Sequence, residues 1–120
     1  MEVEKHRIVT NEGEKELPFV SLIIPAFNEQ EYIGNLLAQM LEQDYPIEKM
    51  EILVADGKSS DGTRAIVSEY SHRSPMIRLL NNEKQYVPFA LNLGIRESKG
   101  DYIIILGAHS AYPANYISSL

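Results

Sequence analysis

Four short apolar runs, separated by segments with helical spacing, constrain the fold more than any other feature of this sequence. The runs cover residues 19–24, 51–55, 77–80 and 102–106. Their length and β-branched content predict buried strands. Between them, apolar residues recur at the spacing of amphipathic helices, as in Ile33, Leu36, Leu37, Met40 and Leu41. The predicted order is β-α-β-α-β-α-β, and the fourth run is the most apolar, which predicts the most buried strand.

Alternating apolar strands and helices predict an α/β fold, a Rossmann-like parallel sheet with helices on both faces. Right-handed crossovers predict the strand order 3-2-1-4. A chain of 120 residues forms one domain. Residues 1–17 are polar and charged and are predicted to be a flexible N-terminal arm, which leaves residues 18–120 as the domain.

The helix ends are predicted from capping residues. Asn28 is expected to cap the first helix, and Ser60 or Asp61 the second. Pro88 suits the first position of the third helix, and Gly100 is placed to end it. Residues 116–120 show helical spacing and predict the start of another helix.

The strand order locates a ligand site. In such sheets ligands bind beyond the carboxyl ends of the strands, where the strand order reverses. That crevice lies between the ends of the first and fourth strands, with the second beside it. The segments that face it are residues 25–29, 56–61 and 107–110.

Charge and composition exclude several classes of partner. The net charge is −6, without a basic stripe, so nucleic acid is not a predicted partner. An acidic protein that binds an anion needs local positive charge from a metal ion or from helix N-termini. There is no cysteine, which excludes disulfides and thiolate metal sites. No signal peptide and no membrane segment are recognised, which predicts a soluble, cytoplasmic chain.

The loop after the first strand contains no glycine. A dinucleotide-binding oxidoreductase would carry G-x-G-x-x-G there, and a P-loop would end in Lys-Ser or Lys-Thr. Their absence argues against a dehydrogenase or a methyltransferase. Any bound pyrophosphate must be neutralised by a metal ion or by the later loops.

Three residues at the crevice have polar side chains suited to ligand binding. Asp56 is suited to accept hydrogen bonds from a base or a ribose, and is equally suited to form a turn before Gly57. Lys58 is a possible phosphate contact, although a lone loop lysine is usually solvated. His109 is the one histidine placed at the crevice, and this position favours a site role over a structural one.

Four segments in order resemble the family-2 glycosyltransferases. They are residues 20–29 (VSLIIPAFNE), 51–63 (EILVADGKSSDGT), 90–95 (ALNLGI) and 99–103 (KGDYI). The resemblance extends from about Pro18 to the end of the chain. It implies the nucleotide-diphospho-sugar transferase fold, GT-A, and transfer of a sugar from a nucleoside-diphosphate donor to a hydroxyl acceptor in polysaccharide or glycan synthesis.

The resemblance also implies a set of site residues. Ala26, Asn28 and Glu29 line the nucleotide pocket, Asp56 contacts the base, and Asp61 mainly shapes its loop. The predicted nucleotide-sugar site comprises Pro25, Ala26, Asn28, Glu29, Asp56, Lys58, Asp61, Gly107 and Ala108.

The exit of the fourth strand departs from the family pattern. The family carries Asp-x-Asp there, whereas this chain has Gly107-Ala108-His109. A subgroup similar to succinoglycan-type exopolysaccharide transferases has Asp-Ala-His followed by Tyr-Pro, as in Tyr112-Pro113. His109 is therefore predicted to bind a divalent metal, Mn²⁺ or Mg²⁺, and imidazole favours Mn²⁺. Glycine at position 107 is expected to weaken metal and donor binding.

In the resembled family the acceptor pocket and the catalytic base follow this region. The chain is therefore expected to be a truncated donor-binding half that binds its donor weakly and transfers no sugar. An open fourth strand and an exposed apolar face predict self-association or marginal stability. The alternative interpretation is a non-catalytic nucleotide-binding or regulatory module.

Overall fold

Four parallel strands form a single sheet in the computed structural model, which describes residues 17–120. They are β1 (Val20–Ala26), β2 (Met50–Asp56), β3 (Ile77–Asn81) and β4 (Tyr102–Ile105). Their spatial order is β3-β2-β1-β4, and each neighbouring pair is parallel. The predicted order 3-2-1-4 is confirmed. All of the predicted arm except Leu17 lies outside the described residues.

Three helices connect the strands. They are α1 (Ile33–Leu41), α2 (Thr63–Arg73) and α3 (Val87–Glu97), and a short 3-10 helix covers Ile47–Lys49. In the described part of the chain, no helix is long and apolar enough to cross a membrane. Two predicted ends of α3 are wrong by a few residues. The helix begins at Val87, so Pro88 is its second residue, and it ends at Glu97, before Gly100.

The helices cover both faces of the sheet. Leu22 and Ile24 of β1 belong to a core cluster with the apolar residues of α1 and with Val67 of α2. Ile23 points to the opposite face, where α3 packs. A Cβ atom on Gly94 of α3 would lie 2.6 Å from Ile23 Cγ2, so only glycine permits this close approach of helix and strand. Burial of each such large apolar side chain stabilises the fold by roughly 1.5–3 kcal/mol.

Asn28 does not cap α1, contrary to prediction. It adopts a left-handed conformation with φ 51°, and α1 begins five residues later without a side-chain cap. Its side-chain oxygen instead accepts a hydrogen bond from the backbone of Ser60. At the start of α2, Asp61 rather than Ser60 accepts the N–H of Thr63.

β4 is not the most buried strand, although it is the most apolar. Tyr102, Ile103 and Ile105 are 52%, 40% and 49% exposed. The reason is position: β4 is an edge strand, and within residues 17–120 it pairs only with β1. The segment that follows, residues 114–119, forms consecutive turns and not the predicted helix.

Candidate functional site

The loops that follow β1 and β2 are joined by side-chain to backbone hydrogen bonds. Asn28 Oδ1 accepts the N–H groups of Ser60 and Asp61, at 2.9 and 3.3 Å. In return, Ser59 Oγ accepts the N–H of Asn28 at 2.7 Å. The left-handed backbone of Asn28 turns its amide toward the second loop. The two loops therefore form one structural unit at the carboxyl edge of the sheet.

The first turn of α2 extends this unit. Thr63 Oγ1 accepts the N–H of Glu29 at 2.7 Å, and Gln30 Oε1 accepts the N–H of Gly62 at 2.7 Å. Asp61 Oδ2 accepts the N–H of Gln30 at 3.3 Å. The backbone N–H of Glu29 is thus fixed by the first residue of α2, which lies 34 residues later in the chain.

Asp61 carries a negative charge that the surrounding donors favour. Desolvation pulls its pKa upward, but this effect is outweighed by hydrogen bonds from the Thr63 hydroxyl and from the backbone N–H groups of Thr63, Gln30 and Asp61 itself. The pKa of Asp61 therefore lies below its ordinary value. The ionised side chain keeps the loop and the start of α2 in place.

Asp56, at the end of β2, is fully buried and is bonded within its own loop. Its Oδ2 accepts the N–H of Ser59 and an Nη1–H of Arg64, both at 3.0 Å. Its Oδ1 accepts the Ser59 hydroxyl at 2.5 Å. The Arg64 side chain, 40% exposed, covers the carboxylate from the solvent side. The sequence left two roles open for Asp56, ligand binding and turn formation. These hydrogen bonds show its part in forming the loop.

The loop after β4 reaches the same crevice through His109. Its Nε2 atom lies 3.1 Å from Oε1 of Glu29, and its ring packs against Tyr32 with centroids 4.3 Å apart. Oε1 of Glu29 is buried, yet no hydrogen-bond donor is aligned with it among the described residues. His109 itself is mostly exposed. The three segments that follow β1, β2 and β4 therefore meet at one place.

A hydrogen-bonded chain holds the loop after β4 on α1. Tyr112 Oη accepts the N–H of Gly107 at 3.0 Å, which closes the loop that carries His109. Gln39 of α1 accepts the N–H of Tyr112 at 2.9 Å. The Tyr112-Pro113 pair, noted in the sequence only as part of the resemblance, thus shapes the loop.

The remaining predicted residues are divided between a small cleft, its rim and the core. A cleft of about 110 Å³ lies between the end of β1 and the start of α3. Its lining includes Pro25, Ala26, Phe27, Glu29, Asn82, Gln85 and Val87. Asn28, Lys58, Gly107 and His109 are exposed and do not line the cleft, whereas Ala26 and Ala108 are almost fully buried. Lys58 lies 3.9 Å from Glu83 and is more than half exposed.

Several residues of the crevice were missed by the sequence analysis. They are Tyr32, Thr63, Arg64, Asn82 and Gln85, which lie outside the segments predicted to face the crevice. Asn82 had a usable signal, because it follows β3 at the same edge of the sheet. Gln85 had none, since its left-handed φ of 69° gives no sign in a residue other than glycine or asparagine.

In residues 17–120, no three histidine, aspartate or glutamate side chains converge to hold a metal ion by themselves. A metal at this site would need ligands from a bound molecule. Among the described residues, Glu29 and His109 have two potential ligand atoms close together, with Oε1 and Nε2 3.1 Å apart.

Comparison with known proteins identifies the family. Residues 21–120 match the model described as "Glycosyl transferase family 2". The chain belongs to glycosyl transferase family 2. The resemblance stated from the sequence is confirmed, and the dehydrogenase and methyltransferase interpretations are excluded.

Curated family 2 relatives come from archaea and bacteria. The chain is 46% identical over 97 residues to the dolichyl N-acetyl-alpha-D-glucosaminyl phosphate 3-beta-D-2,3-diacetamido-2,3-dideoxy-beta-D-glucuronosyltransferase of Methanococcus voltae, covering 79% of this chain and 30% of the relative. It is 32% identical over 101 residues to the succinoglycan biosynthesis protein ExoA of Rhizobium meliloti (strain 1021), covering 82% and 30%. The chain therefore spans less than a third of the length of these relatives.

Solved structures place family 2 on the same fold. The mannosyltransferase PcManGT of Pyrobaculum calidifontis, solved in complex with GDP-Man and Mn²⁺, superposes with a TM-score of 0.75 at 34% identity. The match covers 81% of this chain and 29% of PcManGT. The GT-A fold predicted from the sequence is confirmed.

Proposed function

We propose that this chain is the donor-binding portion of a glycosyltransferase, and that it holds a nucleoside-diphosphate sugar in the crevice at the carboxyl ends of β1, β2 and β4. The sugar would pass to a hydroxyl acceptor in glycan or polysaccharide synthesis. The convergence of Asn28, Asp61 and His109 from three loops carries the proposal. Support comes from PcManGT, a 34% identical protein in complex with GDP-Man and Mn²⁺.

The size of the cleft suits part of the donor. At about 110 Å³ it is smaller than the roughly 300–1,000 Å³ typical of sites for whole small molecules. Apolar walls from Phe27 and Val87, with the amides of Asn82 and Gln85, fit a planar base that has hydrogen-bonding edges. The diphosphate and the sugar would then extend along the open rim toward His109.

The rim has little free positive charge of its own, because the Arg64 guanidinium is bonded to Asp56. The chain has a net charge of −6, and the nearest lysine, Lys58, is exposed and faces Glu83. A divalent ion held at His109 would neutralise the diphosphate and stabilise it as a leaving group. The loops after β1 and β2 are already joined by hydrogen bonds of Asn28 with Ser59 and Ser60. They would therefore hold the bound donor without first rearranging.

Asp56 would act on the base from within the loop. Oδ1 accepts one hydrogen bond, from the Ser59 hydroxyl, and has room for a second, but the carboxylate is fully buried, so a base N–H would reach it only when the covering side chains move aside. The proposal therefore gives Asp56 two roles. It shapes the loop before the donor binds, and it then accepts a hydrogen bond from the base. Lys58 remains a proposed phosphate contact at the rim.

Calorimetric titration tests the proposal. UDP, GDP and dTDP are added to the chain with and without Mn²⁺, and the titrations are repeated on His109→Ala and on the matched surface control His72→Ala. Binding of at least one nucleotide that depends on Mn²⁺, lost in His109→Ala and kept in His72→Ala, is the expected result. No binding of any nucleotide, with or without metal, contradicts the proposal.

Gly107 favours a second candidate function. With glycine where the family carries a carboxylate, the chain could bind nucleotides as a non-catalytic or regulatory module. The two are separated by following release of free nucleotide from UDP- and GDP-sugars, by the chain and by the protein extended beyond Leu120. Turnover only in the extended protein supports the donor-binding proposal, whereas nucleotide binding without turnover in either favours the module.

A further inference from the structure

We infer that Asn82 selects a donor with a pyrimidine base, uracil or thymine, in the cleft between the end of β1 and the start of α3. The inference rests on the proposed function, because it takes this cleft as the place of the donor base. It goes further in naming the class of base and the side chain that recognises it. The fold does not dictate the base, since PcManGT was solved with the purine nucleotide sugar GDP-Man. Selection therefore has to come from the side chains of this chain.

The size of the cleft suits one ring. Its volume is about 110 Å³, whereas an apolar cavity of about 150 Å³ is known to take a single benzene molecule. Ala26, Ala55 and Ala90 are its most buried lining residues, and Phe27 and Val87 complete its apolar walls. A pyrimidine has one six-membered ring and fits this space. A two-ring purine would have to project into solvent or displace a wall.

The turn after β3 forms a fixed side of the cleft. The N–H of Asn82 donates to the carbonyl of Asp56 at 2.8 Å, and the N–H of Gln85 donates to the carbonyl of Asn82 at 3.2 Å. Gly57 packs against the same turn, because a Cβ atom there would lie 3.1 Å from both Cα and the carbonyl oxygen of Gln85. The cleft therefore cannot widen on this side without breaking backbone hydrogen bonds.

Asn82 brings polar atoms to the cleft that the fold leaves unused. The residue lines the cleft and is only 4% exposed. One N–H of its Nδ2 atom donates to the carbonyl of Tyr86 at 3.1 Å, which fixes the orientation of the amide. Its Oδ1 atom accepts no hydrogen bond within residues 17–120 and is not sealed from solvent. Polar atoms of nearly buried residues are usually paired, so a ligand donor is the expected partner of this oxygen.

The edge of uracil or thymine complements this amide. Both bases present a ring N–H between two carbonyl oxygens. Oδ1 of Asn82 would accept the ring N–H, and the second N–H of Nδ2 would donate to whichever carbonyl lies beside it. Asp56 is not among the residues that line the cleft, and its carboxylate is covered by Arg64. Asn82 would therefore be the first side chain to contact the base edge, before any movement that uncovers Asp56.

A comparison of matched ligands on matched variants tests the inference. UDP, GDP and UDP methylated at the ring nitrogen of uracil are titrated by calorimetry, with Mn²⁺, into the native chain, Asn82→Ala and the exposed neighbour Asn81→Ala. We expect UDP to bind the native chain at least tenfold more tightly than GDP. The methyl group, which replaces the N–H, should weaken binding by about tenfold or more.

The methyl penalty identifies the residue that contacts the base. It should disappear in Asn82→Ala and persist in Asn81→Ala, because only the first variant removes the acceptor. The penalty compares two ligands on one variant, so a general loss of affinity from a disturbed turn cancels. Thermal melting of each variant checks that the chain is folded.

Widening the cleft tests the size argument separately. Val87 lines the cleft but is 56% exposed, so Val87→Ala should fold and enlarge the space for a base. We expect the affinity for GDP to rise relative to that for UDP. Ile95→Ala, at a residue 47% exposed on the same helix, should leave the ratio of the two affinities unchanged.

The outcomes separate this inference from the proposed function. GDP binding as tight as UDP binding overturns the inference and leaves the donor-binding proposal standing. So does a methyl penalty that persists in Asn82→Ala, and its disappearance in Asp56→Asn alone would assign the contact to Asp56. No binding of any nucleotide contradicts the proposed function and this inference together.

Discussion

Gly107 is exposed at the exit of β4, and its N–H already has a partner in the Tyr112 hydroxyl. A side chain added here meets only Ser110 Oγ, at 3.1 Å from a Cβ atom, and that hydroxyl is free to rotate. We therefore expect Gly107→Asp to fold and to add a carboxylate beside the proposed metal ligand His109. Loss of even an outer partner of a metal ligand costs about 10–100-fold in metal affinity, so an added carboxylate ligand should raise Mn²⁺-dependent nucleotide affinity by roughly tenfold. Calorimetry against Gly107→Asn measures the charge alone, and equal affinities of the two variants would contradict the prediction.

Asp61 gives the stability of the chain a specific pH dependence. Its folded pKa lies below its ordinary value, because the upward effect of desolvation is outweighed by hydrogen bonds from the Thr63 hydroxyl and several N–H groups to the ionised carboxylate. Its stabilising contribution is therefore fully present above the unfolded pKa, and is lost as the pH falls through the folded pKa. The free energy of unfolding of the native chain should exceed that of Asp61→Asn at pH 6, and the difference should shrink as the pH falls below the unfolded pKa of about 3.9 and on through the folded pKa. Urea unfolding across this range tests it, and a difference that does not vary with pH would exclude the ionised form as the cause.

At the scale of single residues, the sequence predicted which residues lie at the crevice better than what they do there. Asp61 follows the expected local pattern, since a carboxylate before a helix satisfies its first N–H groups. Asn28 does not, because its bonds go to Ser60 and Asp61, more than thirty residues away. A capping pattern is local, so it cannot reveal a partner on another loop. The nucleotide-binding role of Glu29 and the metal-binding role of His109 remain predictions.

Among the elements, α1 and the turn that follows it hold the segment after β4 in place through Gln39, within the helix, and Gln43, two residues beyond its end. Gln43 is 8% exposed, donates to the carbonyl of Pro113 at 2.7 Å and accepts the N–H of Ile117 at 3.0 Å. Gln43→Ala leaves both backbone groups without this partner, at about 1–3 kcal/mol each. We expect the free energy of unfolding to fall by roughly 2–4 kcal/mol. Denaturant unfolding measures the loss.

The neighbouring Glu42→Ala is the control for Gln43→Ala, because Glu42 precedes Gln43 and is exposed at the C-terminal end of α1. If the two variants lose the same small amount of stability, residues 113–117 do not depend on Gln43. If only Gln43→Ala also weakens nucleotide binding, the segment transmits its position to His109 through Tyr112 and Gly107.

Element types were predictable because the strands and helices differ in their apolar period. β1 and β2 are apolar at consecutive positions; β2 is buried along its whole length and β1 at every residue except the half-buried Pro25, as central parallel strands require. The same rule misjudged β4, whose apolar residues are largely exposed at the edge of the sheet. The apolar residues of a strand indicate that it can be buried. Whether it is buried depends on the elements packed beside it, which the local sequence does not reveal. Residues 116–120 likewise show helical spacing, but residues 114–119 form turns, and Gln43 accepts the N–H of Ile117 there.

For the whole molecule, the strand order is what located the crevice. Right-handed crossovers and the order β3-β2-β1-β4 place the ends of β1, β2 and β4 together, whatever side chains they carry. The contacts that join those loops, such as Ser59 to Asn28 and His109 to Glu29, depend on side-chain rotamers and left-handed backbone positions. These were beyond the reach of the sequence pattern.

The exposed edge of the sheet predicts self-association of this chain. Ile103 and Ile105 project from β4 on one face, are 40% and 49% exposed, and lie on a strand with no second strand partner within residues 17–120. Open apolar edges pair with other edges, and inward or edge lysines prevent this. We expect the sedimentation coefficient of the chain to rise with concentration, and the double variant Ile103→Lys/Ile105→Lys to sediment as a monomer. Ile47→Lys, at a residue 48% exposed on the 3-10 helix, is the control for the loss of an apolar surface residue alone. A monomeric native chain at all concentrations would show that this edge is covered or too short to pair, and equal behaviour of both lysine variants would place the association elsewhere on the surface.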